Sequence, residues 1–485
     1  MKNTMDNDRK PHLQRCHWHE AHSSQAMGSY RPNSLFIWAH SFADLEPDGD
    51  DPLSFAISTH AHEYIHYLHN VTTISGLYVF MTGLWLMGTL AACADSEGQS
   101  RGDSCLTDEQ KQMMLASITC LTAIKGNVQW IGGCEPILAP VNWSFAEILS
   151  KKGQVELAGQ LLDYDLASIS GRATDAKGKS IDFIIDIGFD LITEGVAYEV
   201  DREIRRAAGM PVETLDLGTP PYPYLTYEAI VEHLLGRSTT PKERICVGVA
   251  ALQKVYPGVA LVEFCSHLKD VTASPCDDSW VKPSTLDKFL EPIELILHPT
   301  LKELHGAKQG PWGGDDALAL FQLGFRLRAM NNLLELSFID KQLDKASYRQ
   351  CISTMVDCCI IQSKPGDKVI HEWVGPGVVA KYEEDAARIG IFQASLHYTL
   401  LHVGPNGRRF HSTDRLNITK CPYSGGCQVE IDDGHPIDCR TRPWLRYKDV
   451  PLGGKVCWYA AGVKTFAKHP AQSVASDGNP PLQRS

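Results

Sequence analysis

The sequence has no excess of positive charge and no long basic run: 46 Lys and Arg stand against 58 Asp and Glu, a formal net charge of −12 at pH 7. That balance argues against a nucleic-acid partner, because such affinity is built on neutralised phosphates. The first ten residues are polar and no apolar core follows them, so no secretory signal is expected. The 15 cysteines are odd in number, scattered and without a compact disulfide spacing, which predicts a reducing, cytoplasmic setting. The Gly-rich stretch 310–316 lacks a G-K-[ST] ending, which excludes a phosphate loop and leaves a turn. No internal repeat is visible. Long uncharged runs are scarce as well. The one example, residues 71–94, has the length of a membrane span. Gly76, Gly83, Gly88 and four threonines make it only moderately apolar, its flanks carry no Lys or Arg cluster, and no second comparable run exists. It is expected to be a buried core hairpin, with no membrane partner.

What the chain does contain is one string that speaks of chemistry. Residues 62–66 read His62-Glu63-Tyr64-Ile65-His66, an H-E-x-x-H pattern. Asp50 and Asp51 before Pro52 supply a helix start, Phe55, Ile57, Tyr64, Ile65 and Leu68 supply an apolar pattern, and no Gly or Pro interrupts 53–70. On a helix, positions four apart lie roughly 40° apart around the axis and about 6 Å along it. Both imidazoles can then face one ion, with Glu63 standing beside it where an activated water would lie. His60 and His69 flank the motif, His69 on the face of His62, and are expected to pack or to hydrogen-bond behind the site.

A catalytic zinc site keeps three protein ligands. Residues 180–208 read as one long helix in which Ile184, Ile187, Leu191, Glu194, Tyr198 and Asp201 share a stripe. A carboxylate on an apolar stripe is costly to bury unless it is paired or bound to metal. Gly195 costs about 1 kcal/mol of helix stability relative to Ala, so a close approach is expected there. Glu194 is the first candidate, Glu199 the second, with Glu203 one turn on.

H-E-x-x-H followed by Glu194-Gly195-Val196-Ala197 resembles the gluzincin metallopeptidases, whose aminopeptidase branch carries an N-E-G-F-A-type string. The resemblance covers two short helical segments. It implies a zincin-like catalytic domain, Zn2+ held by His62, His66 and Glu194, Glu63 as general base, and a peptide or protein substrate. Thr193 stands where that branch has Asn, and the spacer after His66 is far longer than the common one. Either a helical insertion occupies 71–180, or another acid is the third ligand. Gluzincins place a Tyr or His some tens of residues later to stabilise the oxyanion; His233, Tyr256, Tyr222, Tyr224 and Tyr227 are the candidates here. Zincins also carry an edge strand beside the metal helix, and residues 35–38 read as a short strand.

The fold class expected is mainly α (α+β). Residues 1–33, with Cys16-His17-Trp18-His19-Glu20-Ala21-His22, are expected to be disordered and exposed. Residues 34–210 form the catalytic unit, with helices at 107–124, 144–151 and 154–167 and a loop or hairpin at 171–179. The Pro-rich stretch 211–223 reads as a boundary. A helical region follows over 211–365, with helices at 224–235, 241–255, 260–271, 285–297 and 315–339. A mixed segment spans 366–466, with short strands and a helix near 380–401, and the tail 467–485 is expected to be disordered. Cys421, Cys427, Cys439 and Cys457, with His435 among them, lack a C-x-x-C spacing and are expected to be unrelated buried thiols rather than a zinc or iron–sulfur site.

Two other readings compete with a zinc peptidase. Glu63-x-x-His66 is also half of a di-iron oxygenase site, but the chain has no second E-x-x-H; Glu263/His267 and Glu294/His298 are four apart. An inactive zincin-fold binding module is the third reading, though a scaffold has no need of Glu63.

Overall fold

The computed structural model describes residues 28–29, 36–39, 54–131, 140–157, 160–217, 219–270, 290–291, 293–299, 314–339, 341–363, 369–377, 383–404, 409–424, 437–448 and 457–467. In chain order come β1 (Gly28–Ser29), β2 (Phe36–Ala39), α1 (Ser54–Thr72), α2 (Ile74–Cys93), α3 (Asp108–Lys125), β3 (Asn127–Ile131), β4 (Val141–Leu157), β5 (Gln160–Asp175), β6 (Ser180–Ile187), α4 (Phe189–Ala207), α5 (Thr226–Leu235), α6 (Pro241–Leu252), α7 (Pro257–Asp270), α8 (Gly314–Met330), α9 (Lys345–Ser353), β7 (Cys358–Ser363), β8 (Val369–Val374) and α10 (Glu383–Leu401), followed by short helices at Ile437–Thr441 and Trp458–Lys464, with short helical turns between. The architecture is mainly helical with two small sheets.

Only Thr73 separates α1 from α2. Its hydroxyl accepts from Gly76 N (3.1 Å) to cap α2 and donates to His69 O to close α1. Gly76 lies against the His69 and Asn70 carbonyls, where a Cβ would overlap both. The helix α2 is long and apolar enough to cross a membrane by composition, yet most of it is buried, packed on α1, α3 and α10. α3 begins with a capping box between Thr107 and Gln110, and α6 with one between Thr240 and Glu243.

The region between α3 and α4 departs from the expected helices. Residues 144–151 and 154–157 lie in β4 and residues 160–167 in β5, and the two strands pair antiparallel from Val141↔Asp175 to Leu157↔Gln160. The helical expectation for 180–208 also fails at its start, since 180–187 is β6, paired with both β3 and β5. Phe183, Ile185 and Ile187 are buried in alternation, and Gly188 is extended before α4 begins. The turn at 176–179 closes the expected hairpin: Asp175 Oδ1 accepts from Lys177 N and Lys179 N at 2.9 Å each, and Gly178 has φ +79°. The long spacer after His66 is therefore α2, α3 and a four-stranded sheet of order β3-β6-β5-β4, not a helical insertion.

The second sheet has the order β1-β2-β7-β8, with β2 parallel to β7. The strand expected at 35–38 is β2, and it is interior rather than an edge. Its partner β7 comes from the chain beyond 350, and α8 packs on α1, so one apolar core runs through the segments on both sides of the Pro-rich stretch. Residues 221–225 form a wide helical turn that packs on α4. The helix expected over 315–339 stops at Met330; Asn331 Oδ1 accepts from Leu333 N (3.0 Å), and Leu334–Phe338 forms a separate tight turn. Of the helix expected at 285–297, 290–291 and 293–299 are described, with a wide turn at Ile293–Leu297. The residues expected to start α1 (50–52), the 16–22 cluster, Cys427 and His435 lie outside the described residues. Cys421 and Cys439 are buried, Cys457 is half-buried, and none of the three belongs to a metal-binding group among the described residues.

Gly195 is where α4 meets α5. A Cβ there would overlap the Tyr227 ring, whereas one on Gly88 in α2 would meet nothing within 4 Å. In denaturant unfolding, Gly195→Ala should lose roughly 1–3 kcal/mol through overpacking. Gly88→Ala should be neutral or gain up to about 1 kcal/mol from helix propensity.

Candidate metal centre

The helices α1 and α4 pack against each other, and this contact assembles the site. The i, i+4 spacing on α1 brings the Nε2 atoms of His62 and His66 to 3.0 Å. From α4, Glu194 Oε2 reaches 3.5 Å from His62 Nε2 and 3.2 Å from His66 Nε2. This oxygen is buried and has no hydrogen-bond partner among the described residues; it faces the two imidazoles at ion-pair distance without hydrogen-bond alignment. A buried, orphaned carboxylate oxygen is expensive unless a cation sits beside it. Tetrahedral N and O ligands at about 2.0–2.1 Å have donor–donor edges of about 3.3 Å. The triangle of 3.0, 3.2 and 3.5 Å fits such a set. Among the described residues, these three form the one group of potential ligands with donor atoms all within 4.8 Å.

The electrostatics agree with the geometry. Burial works to lower the His62 pKa, but the adjacent Glu194 and the charges of Glu63 and Asp201 overcome it and raise it to about 9. Burial likewise works to raise the Glu194 pKa, and the neighbouring imidazoles hold it well below the usual carboxylate range. The site is built to keep a carboxylate ionised and a positive charge next to it.

Glu63, the residue after His62, is buried, and its charge acts on both His62 and Tyr224. The Tyr224 ring lies 5.8 Å from the His62 ring and 5.1 Å from the Tyr198 ring. Burial, then the charges of Glu194 and Glu63, push its phenol well above the ordinary value, so it stays a proton donor. The other oxyanion candidates sort by position. Tyr222 packs its ring 5.9 Å from Trp130 and also feels the charge of Glu194. Tyr227 donates to Arg244 O (2.7 Å) and Tyr256 to Asp163 O (2.8 Å), both away from the imidazoles. His233 lies against Phe145.

The alternative third ligands are engaged elsewhere. Glu199 is held by Arg244 through two hydrogen bonds of 2.8 and 2.9 Å, and Glu203 pairs with Arg206. Neither joins the imidazoles. The Glu294–His298 pair is exposed on the surface. His60 is buried beside Tyr348, and burial drops its pKa to about 3, which keeps it neutral.

Two residues behind the site escaped the sequence reading. Thr193 Oγ1 lies 3.2 Å from His66 Nδ1 and 2.6 Å from His69 Nδ1. His69 Nε2 in turn lies 3.3 Å from Glu335 Oε1, and both side chains are fully buried. The Thr in place of the Asn of the gluzincin string was the signal for Thr193; Glu335 left none, because it is brought in from far along the chain.

Chelator-treated protein should take up one divalent cation per chain in a zinc or cobalt titration. Glu194→Ala and His66→Ala should abolish that uptake, and Glu203→Ala should leave it at one. Compared with family models, with curated proteins and with solved structures, the chain matches none, so its chemistry rests on these side chains themselves.

Proposed function

We propose that the protein is a zinc-dependent hydrolase with a zincin-like site, a peptidase acting on amide bonds of peptides or proteins. The supporting observation is the meeting of Glu194 Oε2 with the two imidazole Nε2 atoms, with Glu63 and Tyr224 beside them. Two imidazoles and one carboxylate are a zinc-type donor set, and His62, His66 and Glu194 would hold the ion. Bound there, zinc lowers the pKa of water toward neutrality and polarises a carbonyl.

The chain's own residues account for the remaining proton movements. Glu63 takes a proton from the attacking water and returns it to the leaving amine. The Tyr224 phenol, kept protonated by burial and by neighbouring carboxylates, donates to the oxygen on which charge develops. The packing of α1 directly on α4 is the arrangement expected of two ligand helices. The acidic balance and scattered thiols support an intracellular setting without nucleic acid.

Glu63→Gln should retain zinc while amide hydrolysis falls by about 10²–10⁴-fold. Tyr224→Phe should lower kcat by about 10²–10³-fold with little change in KM. Wild-type hydrolysis by Glu63→Gln removes Glu63 from its role. Iron in the isolated protein, with oxygen consumption and no hydrolysis, overturns the assignment in favour of an oxygenase.

A further inference from the structure

We propose that Thr193, His69 and Glu335 form a chain of positioning residues that fixes which nitrogen of His66 carries the proton, leaving its Nε2 lone pair turned to the site. The proposal rests on His66 being a ligand, but the proton order is written in the chain of residues itself.

The order follows from the far end. Glu335 is fully buried and gripped by the Arg328 guanidinium, with hydrogen bonds of 2.8 and 2.7 Å to its two oxygens. Arg328 is itself fully buried and also donates to Thr72 Oγ1 (2.7 Å) on α1 and to Asn332 O (3.0 Å). Burial alone would raise the Glu335 pKa; the adjacent guanidinium reverses this and holds it far below the ordinary value. An ionised carboxylate only accepts. The His69 Nε2 stands at ion-pair distance from it, 3.3 Å without hydrogen-bond alignment, and carries the proton, since a bare lone pair would face a buried negative oxygen. Burial keeps His69 neutral, the largest influence on a pKa that is lowered. A neutral imidazole with its proton on Nε2 has an accepting Nδ1.

That Nδ1 lies 2.6 Å from Thr193 Oγ1. The hydroxyl has one proton, and it goes to His69. Thr193 Oγ1 is left as an acceptor toward His66 Nδ1 at 3.2 Å, so His66 Nδ1 is the nitrogen that carries hydrogen. The Nε2 of His66, facing Glu194 and His62, is then bare, which is the form a cation needs. In the reverse order a proton would stand on His66 Nε2, inside the donor triangle. Thr193 is thus the hinge of the arrangement: it follows the sheet into α4 one residue before Glu194 and orients a histidine on α1.

The test uses the full chain with 15N-labelled histidines and long-range 1H–15N correlation. His69 should show a protonated Nε2 and a bare Nδ1, with or without zinc; a proton on His69 Nδ1 overturns the proposal. Thr193→Val removes the hydroxyl at nearly constant shape and should weaken zinc binding by about 10–100-fold, with Thr193→Ser restoring it. Wild-type zinc affinity in Thr193→Val also overturns it. If Thr193→Val fails to fold, the His69 tautomer of the wild-type chain decides alone. A chain with the expected His69 tautomer that takes up no cation keeps the proton order and instead removes the zinc-hydrolase reading.

Discussion

The structure depends on one contact, a carboxylate on α4 whose Oε2 is buried against two imidazoles on α1. Among the described residues, no other carboxylate oxygen is buried without a hydrogen-bond partner. The cost of that arrangement is offset by positive charge beside the oxygen, a proton on His62 or a cation between the three donors. Around it the fold supplies close approach. Gly195 lets the Tyr227 ring lie on α4, and Tyr227 is tied to the carbonyl of Arg244, whose guanidinium holds Glu199 on the next turn of the same helix. The helix that presents Glu194 is thereby fixed by a buried ion pair below and an aromatic wedge beside it. A buried pair of that kind adds little net stability, but removing either partner strands a charge, so it fixes position strongly.

A second buried pair does the same work on the other side. Arg328 and Glu335 come from chain beyond the Pro-rich stretch and reach back to Thr72 and His69 on α1. The C-terminal half is therefore part of the site's support rather than an appended unit. The break of α8 at Met330 allows this: an uninterrupted helix would carry residue 335 onward along the axis, whereas the tight turn at Leu334–Phe338 turns Glu335 inward.

The legible parts of the site were the local ones. His62, Glu63 and His66 lie within five residues, and helical spacing alone places both imidazoles on one face. Glu194 stands out as an acid on an apolar stripe, although the first part of that stripe is strand rather than helix. Ile184 and Ile187 belong to β6, where residues three apart fall on opposite faces and only Ile187 of the two is buried, so the helical spacing that links them to Leu191 is a coincidence. β4 and β5 were read as helices because their outer stretches are exposed and rich in Leu, Glu, Lys and Gln, which carry helical propensity; cross-strand pairing over the full hairpin overrides it. The interior position of β2 and the approach of Glu335 were out of reach for a different reason. Both are set by partners some 300 residues away, which no local window contains.

The central claim is that Glu194 completes the coordination of a cation held by His62 and His66. X-ray absorption at the zinc edge of the loaded chain reads this shell directly. The account requires imidazole nitrogens and carboxylate or water oxygens at about 2.0–2.1 Å and no sulfur. A sulfur shell near 2.3 Å, or a spectrum unchanged by Glu194→Ala, would contradict it.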